Sequence, residues 1–435
     1  MADATDSCTV VCMEEESVYL NLGTISTITF FKIHASDLSY QDLLVARITE
    51  IVRANPWMLC HVVRRKKEHD NRVQLIYPIS PSEEEIGKIV NMCKDPGSAA
   101  IHWDMPYIEL MKAIDGMEAD VKGGSECLNK PLQCVKFTIV PVARGDKGFA
   151  LIFSWGHVVG DGCTYYQILN MVSNNVPVRP LQAMRQQDFG PKKKSMIGER
   201  AAKWLFGVGL FRIITKTIVM SLCAPPATCL AYYVDPEKIA AQKVTVVDSD
   251  FVSTNDILTS QWFNAVKPRV GLMPVDCRSR IPGLGDHLAG NYQAALLFDA
   301  EGYATPQAIR KTLTPGANSY RGPDGLVKAP PGALQTLMKP FKWSAIPNWA
   351  SFADDLVLDG CEQHLHLPCL KLSEMAFDEC VVFKPRASQL GILCCLRSVQ
   401  RADLEARMSI LGKPISDNMF SVGQKSPTCL AGCLS

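Results

Sequence analysis

The stretch from 154 to 166 reads SWGHVVGDGCTYY and places a histidine four residues before a carboxylate. A neutral imidazole, with an ordinary pKa of about 6.5, can take a proton from an alcohol or an amine near neutral pH. The run before His157, GFALIFSW, is typical of a strand buried on both faces. Gly160 and Gly162 flank Asp161, and helical spacing follows. The pattern predicts a strand, a tight turn and a helix. His157 and Asp161 would then lie in a loop at a strand end, where catalytic residues are often found.

Composition limits the classes of protein to consider. The chain has 435 residues, 47% of them hydrophobic, which is enough for two or three domains with large cores. Lys and Arg number 45 against 44 Asp and Glu, so no strong charge favours nucleic acid as a partner. The first residues, MADATDSCTVVCMEEES, lack the apolar segment of a secretory signal, and the 17 cysteines follow no disulfide spacing. We expect a cytoplasmic protein that is a monomer.

The order of apolar segments predicts an α/β fold in two halves. Short strands alternate with helices such as YQDLLVARITEIVRANP in the first half, and strands such as ECVVFKP and LGILCCLRS end the second. A region rich in Lys and Gly separates them. We therefore predict an N-terminal domain over 1–190, a crossover segment over 191–230 and a C-terminal domain over 231–435.

Five segments resemble one enzyme family, and the earliest of them is RANPWMLCHVVRR at 53–65. HVVGDG at 157–162 resembles the HxxxDG signature of CoA-dependent acyltransferases of the BAHD type, a superfamily shared with chloramphenicol acetyltransferase and peptide-synthetase condensation domains. FVSTNDILTSQWF, VDCRSRIPGLGDHLAGNYQAAL and NWASF resemble later family segments and come in the family's order. The resemblance covers about residue 20 to 410. The family's second signature, DFGWG, is absent: that region reads LVLDGCEQHLHLP, and the DFG at 188–190 lies too early in the chain.

The resemblance implies both a fold and a reaction. It implies two chloramphenicol-acetyltransferase-like domains, each a mixed sheet flanked by helices, with the active-site channel between them. His157 would be the general base for transfer of an acyl group from acyl-CoA to a hydroxyl or amine of a small-molecule or lipid acceptor. Acyl-CoA would be a co-substrate, with no permanently bound cofactor and no metal. A non-catalytic acyl- or lipid-binding protein and a thioesterase are the alternatives.

The resemblance also assigns a structural role to Asp161. It implies an ion pair between Asp161 and an arginine of the VDCRSR segment, which would hold the histidine loop. Arg278 and Arg280 both fit, because alternate residues of an extended strand share a face. Gly162 would let the backbone pass close to substrate, since it has no Cβ.

The turn before the helix at 254 and the later GN turn are predicted to approach the cofactor. Ser253 and Asp256 have the spacing of a helix cap, while the resemblance places Ser253 and Thr254 near the CoA tunnel. Both interpretations of Ser253 stay open. Asn291, in the GN turn, is the third predicted cofactor contact.

Two other groups of reactive side chains have alternative explanations. Cys163 begins a helix, where the dipole can lower a thiol pKa, so an acyl-enzyme is an alternative to direct transfer. A packing role for this thiol is favoured. The segment CEQHLHLPC at 361–369 carries possible zinc ligands, but its parity favours a strand with His364 and His366 on one face.

The crossover segment has an amphipathic pattern. Residues 192–222 begin with three lysines and continue with apolar residues interrupted by Arg212 and Lys216. Peripheral contact with a membrane is one explanation, and a helix that covers the domain junction is the favoured one.

Overall fold

The computed structural model describes residues 6–34, 39–65, 71–93, 100–143, 147–223, 227–244, 251–313, 330–338, 342–373, 375–416 and 418–420. In this part of the chain the strands are β1 (Ser7–Val11), β2 (Thr24–Ile33), β3 (His61–Val63), β4 (Gln74–Pro78), β5 (Val90–Met92), β6 (Val135–Pro141), β7 (Gly148–Gly156), β8 (Thr228–Val234), β9 (Val270–Asp276), β10 (Gln293–Phe298), β11 (Trp343–Ala345), β12 (Cys361–Pro368), β13 (Asp378–Arg386), β14 (Gln389–Leu396) and β15 (Leu411–Pro414).

The helices alternate with these strands. They are α1 (Tyr40–Ala54), α2 (Glu83–Gly87), α3 (Tyr107–Gly116), α4 (Gly124–Cys127), α5 (Gly162–Asn170), α6 (Phe189–Ile197), α7 (Glu199–Trp204), α8 (Leu210–Cys223), α9 (Pro236–Val244), α10 (Thr254–Val266), α11 (Pro306–Thr312), α12 (Ala333–Met338) and α13 (Arg401–Arg407), with 3₁₀ segments at Glu14–Leu20 and Pro56–Leu59 and a π-helical turn at Leu205–Gly209.

Two large mixed sheets dominate the fold. The N-terminal sheet has five strands in the order β12-β2-β7-β6-β5, in which only β5 and β6 run parallel. The C-terminal sheet has seven strands in the order β10-β9-β11-β13-β14-β8-β15, with β11 parallel to both neighbours. A small sheet of order β1-β4-β3 lies beside the first. The expected α/β class with mixed sheets and flanking helices is confirmed.

Three apolar cores hold these layers together. The first core packs α1 and α5 against one face of the N-terminal sheet, and the second packs α10 against the C-terminal sheet. The inter-sheet core joins the opposite face of the N-terminal sheet to the C-terminal sheet, through side chains such as Phe30 and Phe383. Burial of apolar area on both faces explains why β7 reads as an unbroken apolar run, since all nine of its residues are buried.

The chain crosses back from the second half into the first. Strand β12 pairs antiparallel with β2 over residues 361–368, at the edge of the N-terminal sheet. The sequence-based division assigns this segment to the domain over 231–435. The division itself, into 1–190, 191–230 and 231–435, stays a prediction.

The crossover segment is helical and lies on the C-terminal sheet. Trp204 and Ile213 pack with Val270 and Trp343 in a small apolar cluster. Lys193, the middle lysine of the basic flank, is buried and lies 3.4 Å from a Glu15 carboxylate oxygen. In the described part of the chain, no helix has the length and apolarity that crossing a bilayer requires.

Candidate active site

The histidine turn joins a buried strand to a capped helix. His157 follows the last residue of β7, and Asp161 is the N-cap of α5. One Asp161 carboxylate oxygen, Oδ1, accepts hydrogen bonds from the backbone N–H of Thr164 at 2.9 Å and from its hydroxyl at 3.0 Å. Such a cap satisfies N–H groups that have no partner inside the helix. The predicted strand, turn and helix are thus present, and one carboxylate oxygen of Asp161 caps the helix.

The other oxygen of Asp161 lies in a buried ion pair. Oδ2 accepts from Arg278 Nη1 at 3.0 Å and from the backbone N–H of Tyr292 at 2.8 Å. Arg278 is also buried, and it donates to Asp276 at 2.7 Å and to the Leu288 carbonyl at 3.0 Å. Its second terminal nitrogen donates to Thr164 Oγ1 and to the Gly290 carbonyl. Every acceptor of Asp161 is therefore used inside the protein.

The structure separates the two candidate arginines. Arg278 is 2% exposed, whereas Arg280 is exposed. Strand β9 ends at Asp276, and Ser279 has a φ of 61°, so the segment turns instead of staying extended. The premise that both arginines lie on one face of a strand is wrong, and only Arg278 contacts Asp161.

The GN turn lies directly against the histidine turn. The Gly290 carbonyl accepts the backbone N–H of Asp161 at 3.2 Å and lies 3.1 Å from the Thr164 hydroxyl oxygen. Gly290 has a φ of 140°, and a Cβ at this position would lie 2.7 Å from Arg185 Nε. Glycine is required here on both counts. The two halves of the chain are thus joined backbone to backbone at this point.

Asn291 holds His157 at two points of contact. Its amide nitrogen Nδ2 donates to the His157 carbonyl at 3.0 Å and to Glu16 Oε1 at 3.1 Å. Its oxygen Oδ1 lies 3.1 Å from His157 Nδ1. Because both amide protons are used, Oδ1 acts as acceptor and His157 Nδ1 must carry the proton. The lone pair of the neutral imidazole is then on Nε2, which suits it to act as a base.

The imidazole is further confined by an aromatic ring. Tyr19 stacks on His157, with ring centroids 4.7 Å apart and ring planes 18° apart. Burial lowers the pKa of His157 below its ordinary value, and hydrogen bonding and the Asp161 carboxylate oppose that shift only in part. At pH 7 the side chain is therefore neutral, which is the protonation state that general-base chemistry needs.

A second buried ion pair supports Asn291 from the other side. Glu16 is 0% exposed and accepts from Arg185 Nε at 3.1 Å through both carboxylate oxygens. Oε1 also accepts from the backbone N–H of Asn291 at 3.1 Å, and Oε2 accepts from the Met13 N–H at 2.8 Å. Arg185 donates its remaining bonds to backbone carbonyls, including that of Val159 in the histidine turn. The N-terminal 3₁₀ segment is in this way part of the site.

The thiol next to the turn is not activated. Burial raises the pKa of Cys163 to about 12, and the Gln167 amide contacts its sulfur at 3.3 Å. A thiol with this pKa is almost entirely protonated at neutral pH, so it is a poor nucleophile. The packing role is the better supported interpretation of Cys163.

Gly162 does not have the conformation that demands glycine. It is the first residue of α5, and a Cβ there would lie 3.8 Å from the Trp349 ring, an ordinary contact distance. The expected close passage of backbone is therefore not forced by this position. Trp349 belongs to the NWASF segment, which the fold brings to the start of α5.

The turn at 253 is a helix cap. The Ser253 side chain accepts from the Asp256 backbone at 3.3 Å, and the Asp256 carboxylate accepts from the Ser253 N–H at 2.7 Å. Asp256 also pairs with Arg310. Thr254 is the first residue of α10 and is partly exposed. The capping interpretation of Ser253 accounts for these contacts, while a role of Ser253 or Thr254 toward CoA stays a prediction.

The two histidines of β12 lie on different faces. The register with β2 shifts between Gln363 and Leu365, which is a β-bulge. His364 contacts Trp103, a residue of the inter-sheet core, at 4.8 Å between ring centroids. His366 lies on the side of the first core. The prediction that both histidines share a face is wrong, because a bulge resets the alternation that parity assumes.

His366 is fully used inside the protein. Its Nδ1 lies 2.8 Å from the Thr29 hydroxyl and its Nε2 lies 3.0 Å from the Tyr166 hydroxyl. Burial lowers the pKa of His366 to about 4, so the ring is neutral at pH 7. Among the described residues, no group of three or more His, Cys, Asp or Glu side chains is arranged to hold a metal ion.

No sequence motif marks Tyr19, Glu16 or Arg185 as part of the site, and Gly290 is marked only as the glycine of the GN turn. Glu16 and Arg185 lie 169 positions apart, and neither belongs to a motif with known spacing. The one available signal is the GN pair, whose glycine indicates a special backbone conformation. Acidic residues at 14–16 read only as a polar N-terminal segment.

Solved structures with a similar fold are numerous, although sequence comparisons find nothing. No protein-family model and no curated protein matches the chain. TRI101 of F. graminearum, in complex with ethyl coenzyme A, superposes with a TM-score of 0.55 and 12% identity, covering 90% of this chain and 96% of that one. TRI3 trichothecene 15-O-acetyltransferase from Fusarium sporotrichioides superposes with a TM-score of 0.55 and 10% identity, covering 92% of this chain and 94% of that one.

A bacterial protein has the same architecture. Polyketide synthase associated protein 5 from Mycobacterium tuberculosis gives a TM-score of 0.53 and 13% identity, with coverage of 92% of this chain and 98% of that chain. Similarity at this level of identity establishes architecture. The chain therefore shares its mixed α/β fold with these solved structures, as the resemblance of its motifs predicts.

Proposed function

We propose that the protein is an acyl-CoA-dependent O-acyltransferase in which His157 is the general base. The observation that carries this proposal is the hydrogen bond between His157 Nδ1 and Asn291 Oδ1, which leaves the Nε2 lone pair for an acceptor hydroxyl. The lowered pKa of His157 keeps that lone pair available at neutral pH. Structures with the same fold include one with ethyl coenzyme A bound and one named as an O-acetyltransferase.

The reaction needs one base and no bound metal. Nε2 of His157 takes the proton as the acceptor oxygen attacks the thioester carbonyl carbon, so that a C–O bond forms. The tetrahedral oxyanion collapses and the C–S bond breaks. The imidazolium then returns the proton to the departing CoA sulfur. Atoms and charge balance with an ester and free CoA as products.

The remaining predicted site residues have supporting roles in this proposal. Asp161 and Arg278 fix the turn that presents His157, and Gly162 begins the helix behind it. Asn291 orients the imidazole, which is a different role from the cofactor contact expected from the sequence. Ser253 and Thr254 are assigned to the cofactor side only by resemblance.

Other parts of the proposal rest on sequence and fold alone. The acceptor is a small molecule or a lipid, and the protein acts as a cytoplasmic monomer. Peripheral membrane contact through 192–222 is supported by Phe211 and Ile218 on α8, which are 59% and 53% exposed. The buried position of Lys193 weakens the case for membrane contact, since a lysine inside the protein cannot face lipid.

The test combines a donor panel with one substitution. Acyl-CoA donors are incubated with mixed acceptors, free thiol is followed, and products are identified by mass spectrometry. His157→Ala should lower the rate by about 10²- to 10⁴-fold, because the base is lost, while the melting temperature stays close to wild type. His34→Ala is the matched control, since His34 is an exposed histidine at the protein surface.

Three outcomes separate the alternatives. Thiol release that requires an acceptor and fails in His157→Ala supports acyl transfer. Thiol release without any acceptor identifies a thioesterase. Saturable acyl-CoA binding with no thiol release for any acceptor identifies a binding protein and contradicts the proposal, as does full turnover by His157→Ala.

A further inference from the structure

The orientation of the Asn291 amide decides which tautomer His157 adopts. In the observed orientation Oδ1 faces His157 Nδ1, and Nδ2 donates to Glu16 and to the His157 carbonyl. If the amide were rotated by 180°, Nδ2 would face the ring and would require a lone pair on Nδ1. The proton would then lie on Nε2, and the ring could not act as the base at that atom.

The Glu16 carboxylate and the His157 carbonyl together exclude the rotated amide. Rotation would place Oδ1 of Asn291 against the Glu16 carboxylate and the His157 carbonyl, so three acceptors would meet with no proton between them. Glu16 is 0% exposed, so water cannot relieve that contact. Its carboxylate is held in place by Arg185 and by the Met13 backbone N–H. A carboxylate is an acceptor only, and this property breaks the symmetry between the two amide orientations.

We propose that Glu16 is a positioning residue that acts through Asn291 to keep the proton of His157 on Nδ1 and the lone pair on Nε2. The inference rests on the proposed function of His157 and extends it to the N-terminal 3₁₀ segment. Arg185 is the counterion that makes a buried carboxylate at this position tolerable, since it donates from Nε to both oxygens and lies on the same buried network. A triad aspartate has a comparable effect on its histidine, although here an amide is inserted between the acid and the ring.

The test is Glu16→Gln in the full-length protein. Glutamine keeps the shape but adds a donor, so one of the two groups that oppose the rotated Asn291 amide can now bond with it, and the preference for the observed orientation is weakened. We expect the acyl-transfer rate to fall by about 10-fold or more, because part of the population holds the wrong tautomer. The direct readout is the ¹⁵N NMR signal of the His157 ring, since a protonated ring nitrogen and one with a lone pair differ strongly in shift. His157→Gln identifies the signal among the eight histidines.

Glu15→Gln is the matched control. Glu15 is the neighbouring glutamate, pairs with Lys193 and makes no hydrogen bond to Asn291 among the described contacts. It should keep both the Nδ1–H tautomer and the rate within about 2-fold of wild type.

A second variant separates positioning from stability. Glu16→Gln leaves the Arg185 guanidinium without its counterion, and that loss can unfold the protein. The double variant Glu16→Gln, Arg185→Met removes the charge along with its partner. Both variants should show the changed His157 tautomer. The proposal is overturned if a folded variant lacking the Glu16 charge keeps the Nδ1–H tautomer and a rate within about 2-fold of wild type.

Failure of the proposed function would look different. The NMR readout needs no substrate, so a tautomer that changes in Glu16→Gln supports the positioning role even if no acyl-CoA donor is turned over. An unchanged tautomer together with normal acyl transfer removes the role of Glu16 and leaves that of His157 intact.

Discussion

The two buried acid–arginine pairs beside the histidine turn hold different parts of it. Asp161 and Arg278 fix backbone: they cap α5, bind the Gly290 carbonyl and receive the Tyr292 N–H. Glu16 and Arg185 also contact backbone, at Asn291 and Val159, but of the two pairs only this one binds the Asn291 side chain. The acid of the motif therefore makes no hydrogen bond with the ring of its own histidine in the described structure.

The two pairs therefore differ in what they do at the histidine turn. Both pairs hold the turn, and in our proposal the Glu16 pair also decides which ring nitrogen has the proton. Both pairs are removed from solvent, so in each case loss of one member leaves a buried charge with fewer opposite charges around it. Stability alone cannot distinguish the pairs, but stability measured together with rate and tautomer can.

The largest effect is expected from Asp161→Ala. The change leaves Arg278 with one carboxylate partner fewer in a buried position and removes the cap of α5, so we expect about 3–5 kcal/mol of lost stability. The rate should fall as well, because the turn is no longer held. Denaturant unfolding and single-turnover kinetics measure the two losses. Arg280→Ala is the control, and an exposed site of this kind should change stability by no more than about 0.5 kcal/mol.

One result would contradict the purely structural role of Asp161. If Asp161→Ala melts like wild type but loses all activity, Asp161 acts on the reaction itself. A charge swap, Asp161→Arg with Arg278→Asp, should recover some stability without restoring the full rate, because the turn would be set differently.

The pH dependence of the rate should show how burial and the two acids combine on His157. Burial lowers the pKa of His157, and the charges of Asp161 and Glu16 raise it in part. The base is neutral above its folded pKa, so the rate should be constant near pH 7 and should fall about tenfold per pH unit only below that lowered pKa. Glu16→Gln removes one of the charges that raise the pKa, so its acid limb should move to lower pH. A wild-type pH–rate profile whose acid limb has its midpoint above pH 6.5 would contradict this account.

The smallest effect is expected from Cys163→Ala. The thiol has a pKa of about 12 and packs next to the turn, so the single-turnover rate should stay within about 2- to 3-fold of wild type. Intact-protein mass spectrometry after mixing with acyl-CoA should show no acyl adduct. An adduct that Cys163→Ala abolishes would instead establish a covalent route and would remove His157 from the role of direct base.

Sequence analysis could identify the turn because its signals are local. An apolar strand, two glycines and a helical repeat lie within 30 residues, and each follows from backbone preferences. The fold class was predictable from alternating segments for the same reason. The acid–arginine pair of Asp161 came from resemblance, which supplied a long-range contact that no local pattern contains.

The parts that sequence analysis missed depend on distant contacts. Glu16 reaches Asn291 across 275 positions, and its burial cannot be inferred from its neighbours Glu14 and Glu15. The choice between Arg278 and Arg280 required the turn at Ser279, where a non-glycine residue takes a positive φ. The β12 histidines were misplaced because one bulge reverses the parity of every residue beyond it.

The return of β12 to the N-terminal sheet has a consequence for biosynthesis. While the ribosome has made only the first half, β2 is an edge strand with an unpaired row of N–H and C=O groups, and its partner is translated more than 300 residues later. The nascent first half is thus exposed to wrong edge pairing for much of translation. A fragment ending near 190 should therefore aggregate when expressed alone, and the chain is expected to need chaperones until residue 368 has emerged.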